Sequence, residues 1–478
     1  MSLTTPAAVL TAAQDGGDVR IHVVMFPWLA MGHLIPFFHL STRLAQLGHR
    51  VSFVSTPRNL RRLPKPPAAL SPLISLVSLP LPQIHNLPPD AESSLDIPPH
   101  KSQLLKQAFD LLQTRLIAFL RTAAADWILC DYASHWLPPL AAELGVSSAF
   151  FSLFTAACLA YIGPPSRRDS RSTAEDFAAV PDWVPLESNL AFRPHEVKKI
   201  TESAGENESG TSDTVRYTVT VRDCDFVAIR SSPEFEPEWF ELLAQLYQKP
   251  VVPVGFLPPV ERDEDDERWV EIKEWLDRQR PDSVVYVALG SEATLSGEQI
   301  TELALGLEQS RLPFLWVIRK PNESTRDCSA LPEGFEERVE GRGMVYVGWA
   351  PQVRILSHWS VGGFLTHCGW NSVIEGLGLG RVLVLLPVMN DQGLNARLLE
   401  GKRLGVEVDR EERDGWFSRD SVADSVRLAM VEEEGEAVRV SAREMRGVFG
   451  DADKNDRHVG SFVRYLVDNR GSRLRREG

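Results

Sequence analysis

This 478-residue sequence predicts an α/β protein built as two doubly wound parallel units, on three observations. Short β-type apolar runs alternate with segments of helical period along most of the chain. The alternation is interrupted by a Pro-rich and then densely charged stretch, which reads as a linker. Loops carrying Gly, His and Asp follow directly after apolar runs, where open parallel sheets hold their ligands.

In chain order, Ile21–Phe26, Val51–Ser55, Trp127–Leu129 and Phe226–Ile229 read as buried strands of the first unit. After the first of them, Phe37, Leu40, Leu44 and Leu47 fall at helical spacing, and Gly48 stands where a capping glycine belongs. Residues 160–215 are rich in Pro, Ser, Glu and Gly and read as loops and short helices. Residues 249–268 read as the linker. Val284–Ala288, Phe314–Val317, Met344–Val347, Val361–Thr366 and Val382–Leu386 read as strands of the second unit. The division expected is a disordered leader over 1–20, a first domain over 21–248, the linker, a second domain over 269–456, and an end segment over 457–478. That segment comprises an amphipathic stretch, 457–468, and a basic tail, Arg470–Arg476.

Composition narrows the function classes. Hydrophobic residues at 43% and charged residues at 24% exclude a mainly disordered or fibrous chain. The net charge is −14, of which residues 251–478 carry −10, so there is no domain-wide cationic footprint for nucleic acid. Five scattered cysteines, with no C-x-x-C pair, suggest reduced thiols in the cytosol. The first 20 residues lack a basic start followed by an apolar core, so no signal peptide is read. Pro27, Gly32, His33 and Pro36 break the apolar stretch Ile21–Leu40, which excludes a membrane span there. The triplets starting at Asn207 and Asn322 match a glycosylation site but have no secretory context.

Three loops carry chemistry. Pro27–Pro36 holds Gly32 and His33 at the end of the first strand, and imidazole suits proton removal near neutral pH. A capping or packed histidine is the competing reading. Asp131 follows the strand Trp127–Leu129, where it can orient a histidine and stabilise its imidazolium, or else cap the helix expected over 133–144. No G-x-S-x-G accompanies the pair, so the reacting hydroxyl belongs to a substrate. The third region is the 44 residues Trp349–Gln392. Its strand 361–366 runs through Gly369 into a helix beginning near Asn371, whose open N–H groups suit phosphate. His367, Asn371 and Ser372 add donors, Glu375 is placed to accept two ribose hydroxyl protons, and Trp349 offers a face for a base. Gly290-Ser291 adds a small turn after another strand. Trp28, Trp136, Phe150, Phe151 and Phe154 form either an apolar acceptor wall near His33 or ordinary core. His135 and His358 receive no role.

The 44-residue block resembles the plant secondary product glycosyltransferase box of family 1 UDP-glycosyltransferases. Trp349, Gln352, His367, Gly369, Trp370, Asn371, Ser372, Glu375, Pro387, Asp391 and Gln392 stand where that motif wants them. The Gly32-His33 loop, Asp131 and Gly290-Ser291 match the family's order and spacing. Pro27–Pro36 and Ser55–Pro64 are similar to the subgroup that extends existing glycosides, and Asp131–Pro138 is similar to glucosyl- and rhamnosyltransferases.

The resemblance implies the GT-B fold, two Rossmann-like domains facing across a cleft, with 457–468 crossing back onto the first. It implies an inverting transfer with His33 as base and Asp131 as its partner. The UDP-sugar would be held by Ser291, Trp349, Ala350, Gln352, His367, Gly369, Trp370, Asn371, Ser372, Glu375, Asp391 and Gln392. The UDP-sugar is a co-substrate, and neither a cofactor nor a metal is called for; the acidic Glu264-Asp-Asp266 lies in the linker. Gln392 at the end of the box favours glucose as the donor sugar, with rhamnose as the alternative. Flavonoid, terpenoid or steroidal glycosides are the expected acceptors, and a cytoplasmic monomer is the default. Two rivals stand beside this reading. A dinucleotide oxidoreductase needs G-x-G-x-x-G after the first strand, where only Gly32 occurs. A non-catalytic nucleotide-sugar binding protein would keep the box but has no need of the His33–Asp131 pair.

Overall fold

The computed structural model describes residues 19–171, 173–204, 207–259, 267–290, 292, 295–318 and 331–471. The leader to residue 18, Ser291, Glu264-Asp-Asp266, Asn322 and the tail beyond 471 lie outside them.

Thirteen strands among the described residues form two all-parallel sheets. The first contains β1 His22–Phe26, β2 Arg50–Ser55, β3 Ile74–Ser78, β4 Trp127–Cys130, β5 Ser147–Ser152, β6 Phe226–Ile229 and β7 Val251–Pro253, in the order β3-β2-β1-β4-β5-β6-β7. The second contains β8 Val284–Ala288, β9 Phe314–Ile318, β10 Gly343–Val347, β11 Val361–Thr366, β12 Val382–Leu385 and β13 Gly405–Glu407, in the order β10-β9-β8-β11-β12-β13. Both are doubly wound, so the two Rossmann-like sheets that the GT-B expectation requires are present.

Four strands carry no clear sequence signal. β3 buries only Ile74 fully, because it is the exposed edge of its sheet. β5, Ser-Ser-Ala-Phe-Phe-Ser, is fully buried despite three serines. β7 and β13 are three-residue edge strands. The first sheet thus runs through Pro253, five residues into the stretch that reads as linker.

The winding direction of the first sheet reverses between β1 and β4, and that of the second between β8 and β11. Loops leaving those strands diverge at the carboxyl edge and open a crevice. The helix Met31–Gln46 after β1 buries Leu34, Phe37, Phe38, Leu40 and Leu44 against the sheet. It tolerates Pro36 near its start at the cost of one hydrogen bond: the Gly32 carbonyl, which would accept from an N–H at position 36, receives none from there.

The last helix, Ala452–Asp468, starts five residues before the amphipathic segment read from sequence, with Asp451 capping Lys454 N at 2.9 Å. It returns to the first sheet. Trp127 Nε1 donates to Leu466 O at 2.9 Å, Tyr465 packs edge-on to Phe226, and Val459, Phe462, Val463 and Leu466 join the core beneath β1 and β4.

Candidate active site between the two sheets

The switch points of both sheets carry the expected side chains. His33 lies in the first turn of the helix after β1, and Asp131 follows β4, the neighbouring strand. His33 Nδ1 donates to Asp131 Oδ2 at 2.7 Å. Asp131 is buried, and its oxygens also accept from Trp28 N at 3.1 Å and Tyr132 N at 2.7 Å. Three donors therefore hold the carboxylate, and Asp131 in turn holds the imidazole with Nε2 as its remaining nitrogen. Burial by itself pushes the His33 pKa down. The charge and hydrogen bond of Asp131 outweigh it, with Glu292 and Asp391 adding to them, so the pKa rises above the usual 6.5.

Across the crevice, the helix Trp370–Gly378 starts after β11 with Gly369 as its cap residue. His367 is wedged between two turns. A Cβ on Gly290 or on Gly369 would come within 2.5 Å of its Nε2, so only glycine lets the imidazole sit there. Gly290 also has φ +78°, which favours glycine independently. Gln352 Nε2 donates to Glu375 Oε2 at 2.6 Å and to Ser372 Oγ at 3.3 Å, while its own oxygen accepts from Tyr286 at 3.3 Å. Gln352 thus positions Glu375, the carboxylate expected to face a ribose. Trp349 is 56% exposed, and Ala350 beside it is buried.

Asp391 and Gln392 begin the helix Gln392–Gly401. Gln392 Oε1 accepts from Val388 N and Met389 N, both at 2.9 Å, which leaves its NH₂ as donor. Asp391 accepts from Asn395 Nδ2 at 2.8 Å. Burial raises its pKa, opposed in part by the Asn395 hydrogen bond and, more weakly, by the charge of a protonated His33. The base candidate and the sugar-side carboxylate of the other domain therefore share one crevice.

Three expectations change. Asn371, expected to offer a donor to the UDP-sugar, has its amide engaged by the protein, accepting from Arg230 and donating to Gly32 O at 2.9 Å. Trp370 is in the first helical turn, but its indole is buried among Phe235, Phe256 and Phe449 and donates to Arg230 O at 2.8 Å. Its ring is part of the domain junction. Phe150 and Phe151 are consecutive in β5 and point to opposite faces, Phe150 to Tyr217 and Phe151 to Phe37. Both are fully buried, so neither walls an acceptor pocket. Trp136 is half-buried behind Phe26 and Phe109, its Nε1 donating to Asp110 at 3.1 Å. Trp28 and Phe154 do approach the base, through a ring that sequence reading passes over. Tyr132 lies 6.0 Å from His33, 6.5 Å from Trp28 and 6.4 Å from Phe154, centre to centre. Its place next to Asp131 was the available signal.

Sequence reading also misses two cross-crevice residues. Ser94 donates to Glu292, joining the loop after β3 to the loop after β8. Arg230, at the end of β6, donates to Asn371 of the donor-side helix. Among the described residues no cluster of three or more His, Cys, Asp or Glu could hold a metal ion, and no helix is long and apolar enough to cross a membrane.

The chain is similar to known proteins. Residues 240–425 match the family described as UDP-glucoronosyl and UDP-glucosyl transferase. UDP-glycosyltransferase 91C1 of Arabidopsis thaliana is 59% identical over 456 residues, which cover 95% of this chain and 98% of that protein. The soyasaponin III rhamnosyltransferase of Glycine max is 42% identical over 452 residues, 93% of this chain and 95% of that one. Among solved structures, Arabidopsis thaliana UGT89C1 complexed with UDP-L-rhamnose has a TM-score of 0.73 at 26% identity, covering 94% of this chain and 100% of that chain.

Proposed function

The chain belongs to the UDP-glycosyltransferase family, and from that premise we propose an inverting transfer of a hexose from UDP to a sugar hydroxyl of a small-molecule glycoside, with His33 as the base. The hydrogen bond between His33 Nδ1 and Asp131 carries this reading, because it turns Nε2 toward an incoming hydroxyl and supplies the counter-charge for the imidazolium. The acceptor oxygen attacks the anomeric carbon as its proton passes to Nε2. The bond from that carbon to the diphosphate breaks on the opposite face, so the configuration inverts.

The negative charge on the departing UDP is met by the first turn of Trp370–Gly378, His367, Ser372 and Ser291. Glu375, held by Gln352, takes the ribose, and Trp349 takes the base. Asp391 and Gln392 take the donor sugar's hydroxyls. UDP-sugar is a co-substrate here, and the reading needs no metal and no cofactor. The protein acts as a cytoplasmic monomer in this reading.

Glucose is the favoured donor sugar, on the Asp391-Gln392 ending. Rhamnose is the second reading, because the soyasaponin relative is named a rhamnosyltransferase and the solved neighbour was complexed with UDP-L-rhamnose. The soyasaponin relative also supports a glycoside acceptor. The test is acceptor-dependent UDP release from UDP-glucose, UDP-rhamnose and UDP-galactose over a panel of flavonoid, terpenoid and steroidal glycosides and their aglycones. Faster turnover with UDP-rhamnose reverses the donor order. Faster turnover of aglycones removes the sugar-on-sugar reading. UDP-sugar binding with no turnover on any acceptor makes the protein a binder.

A further inference from the structure

Arg230 is a buried cation that the proposed chemistry does not use. It is 2% exposed at the carboxyl end of β6, and among the described residues no carboxylate forms an ion pair with it. Its guanidinium donates to three neutral oxygens instead. Nε donates to Phe256 O at 2.7 Å, Nη2 to Leu257 O at 3.2 Å, and Nη1 to Asn371 Oδ1. A charge buried with only neutral acceptors in hydrogen-bond reach is costly: burial pushes its pKa down to about 9, with the nearby charge of Glu375 opposing in part. Such an arrangement calls for a role beyond packing.

The three oxygens have distinct addresses. Phe256 and Leu257 lie where the chain leaves the first sheet for the second. Phe256 N in turn donates to Asn455 Oδ1 at 2.8 Å, on the helix that crosses back. Arg230 therefore sits at the point where both crossings between the domains meet. Asn371 belongs to the first turn of the donor-side helix.

The chemistry of the contact fixes how Asn371 faces. A guanidinium has donors only, so it must meet the amide oxygen, and the NH₂ must point the other way. There Asn371 Nδ2 donates to Gly32 O at 2.9 Å, across the crevice and one residue before His33. That carbonyl lacks its usual helical donor because residue 36 is proline. An oriented amide from one domain thus fills a vacancy in the helix that carries the base in the other. Both ends of Asn371's side chain are engaged in this relay.

We propose that Arg230 is a positioning residue: acting through Asn371, it docks the donor-side helix on the Gly32 carbonyl and so sets the register between bound UDP-sugar and His33. This rests on the reading of His33 as base and of Trp370–Gly378 as the donor helix. Without Arg230 the amide is no longer held in one orientation, and the register loosens while the phosphate-facing N–H groups stay in place.

The test is a double-mutant cycle of Arg230→Met and Asn371→Ala on the full chain, with transfer kinetics, UDP titration calorimetry and thermal melting. A hydrogen bond to a charged group is worth about 1.5–3 kcal/mol, or about 10- to 100-fold in rate. The expected result is kcat lowered about tenfold or more in Arg230→Met, with UDP affinity held within about threefold, and little further loss of kcat in the double variant. Unchanged kcat, or independent multiplying losses, would overturn the proposal. So would a UDP affinity that falls in step with kcat. If Arg230→Met does not fold, Arg230→Lys enters the cycle, where a compact ammonium that cannot span all three oxygens gives the same pattern at smaller size. Full transfer by His33→Ala sinks the base reading separately, whatever Arg230 does.

Discussion

His33 and Asp131 come from adjacent parallel strands 98 residues apart in sequence, yet Nδ1 and Oδ2 meet at 2.7 Å. The pairing raises the His33 pKa above 6.5, which has opposite consequences for stability and rate. A raised folded pKa contributes stability that is present below 6.5 and lost as pH rises through the folded value. A general base works only when neutral, so kcat/KM should climb with pH through that same raised value. Asp131→Asn should move the acidic limb of the pH–rate profile downward and lower kcat. His33→Ala should abolish transfer, a loss of about 10²- to 10⁴-fold or more, and still bind UDP in calorimetry. An acidic limb that stays in place in Asp131→Asn would contradict the assignment.

The glycines around His367 make a second point. Gly290→Ala adds a methyl 2.5 Å from His367 Nε2 at a backbone φ of +78°. The imidazole must move, and an L side chain is strained there as well. UDP affinity should fall by about tenfold or more while the melting temperature drops by only a few degrees. Gly341→Ala is the control, since its Cβ meets nothing within 4 Å at a similar φ of +75°. It carries the backbone strain without the clash and should leave UDP binding unchanged.

What the sequence discloses here depends on how much each residue's role shows in its neighbours. His33 and Asp131 are legible because each ends an apolar run, and a parallel sheet puts such positions at the crevice. The donor side is legible because polar types crowd into 44 residues. Arg230 shows no pattern at all: in Ile229-Arg-Ser-Ser it reads as any strand-end cation, and its meaning lies in Asn371, 141 residues away. Trp370 misleads in the other direction, since its place in the box is at the site while its ring belongs to the junction. β3 and β13 escape because edge strands need little apolar sequence, and β5 escapes because, in the middle of a sheet covered on both faces, its serines are buried along with its phenylalanines.

A buried ionic cluster makes the third prediction. Arg397, in the helix that begins at Gln392, pairs with Glu196 of the helix Pro194–Ala204 and with Glu407 of β13. Arg193 also reaches Glu407 at 3.1 Å. Arg397 and Glu407 are almost wholly buried, so removing the arginine leaves carboxylates without their main counter-charge. Arg397→Met should cost about 3–5 kcal/mol in urea unfolding. Because Glu196 packs against Gly393, next to Gln392, the same variant should raise KM for the UDP-sugar more than KM for the acceptor. Equal changes in both would separate the cluster from the donor end of the crevice.

The aromatic residues near the base make the fourth, and here packing decides between core and pocket. Phe151 is fully buried against Phe37, and its truncation removes a core side chain. Phe151→Ala should cost about 3–5 kcal/mol of stability and leave the ranking of acceptors alone. Tyr132 is only half-buried and stands among His33, Trp28 and Phe154, so its ring borders the space an acceptor must enter. Tyr132→Ala should raise acceptor KM by about tenfold and change the order of preferred acceptors, with UDP affinity unaltered. Tyr132→Phe separates the hydroxyl from the ring: if the apolar face is what the acceptor meets, it should behave as the parent protein. Acceptor ranking altered by Phe151→Ala and untouched by Tyr132→Ala would remove Tyr132 from the acceptor pocket.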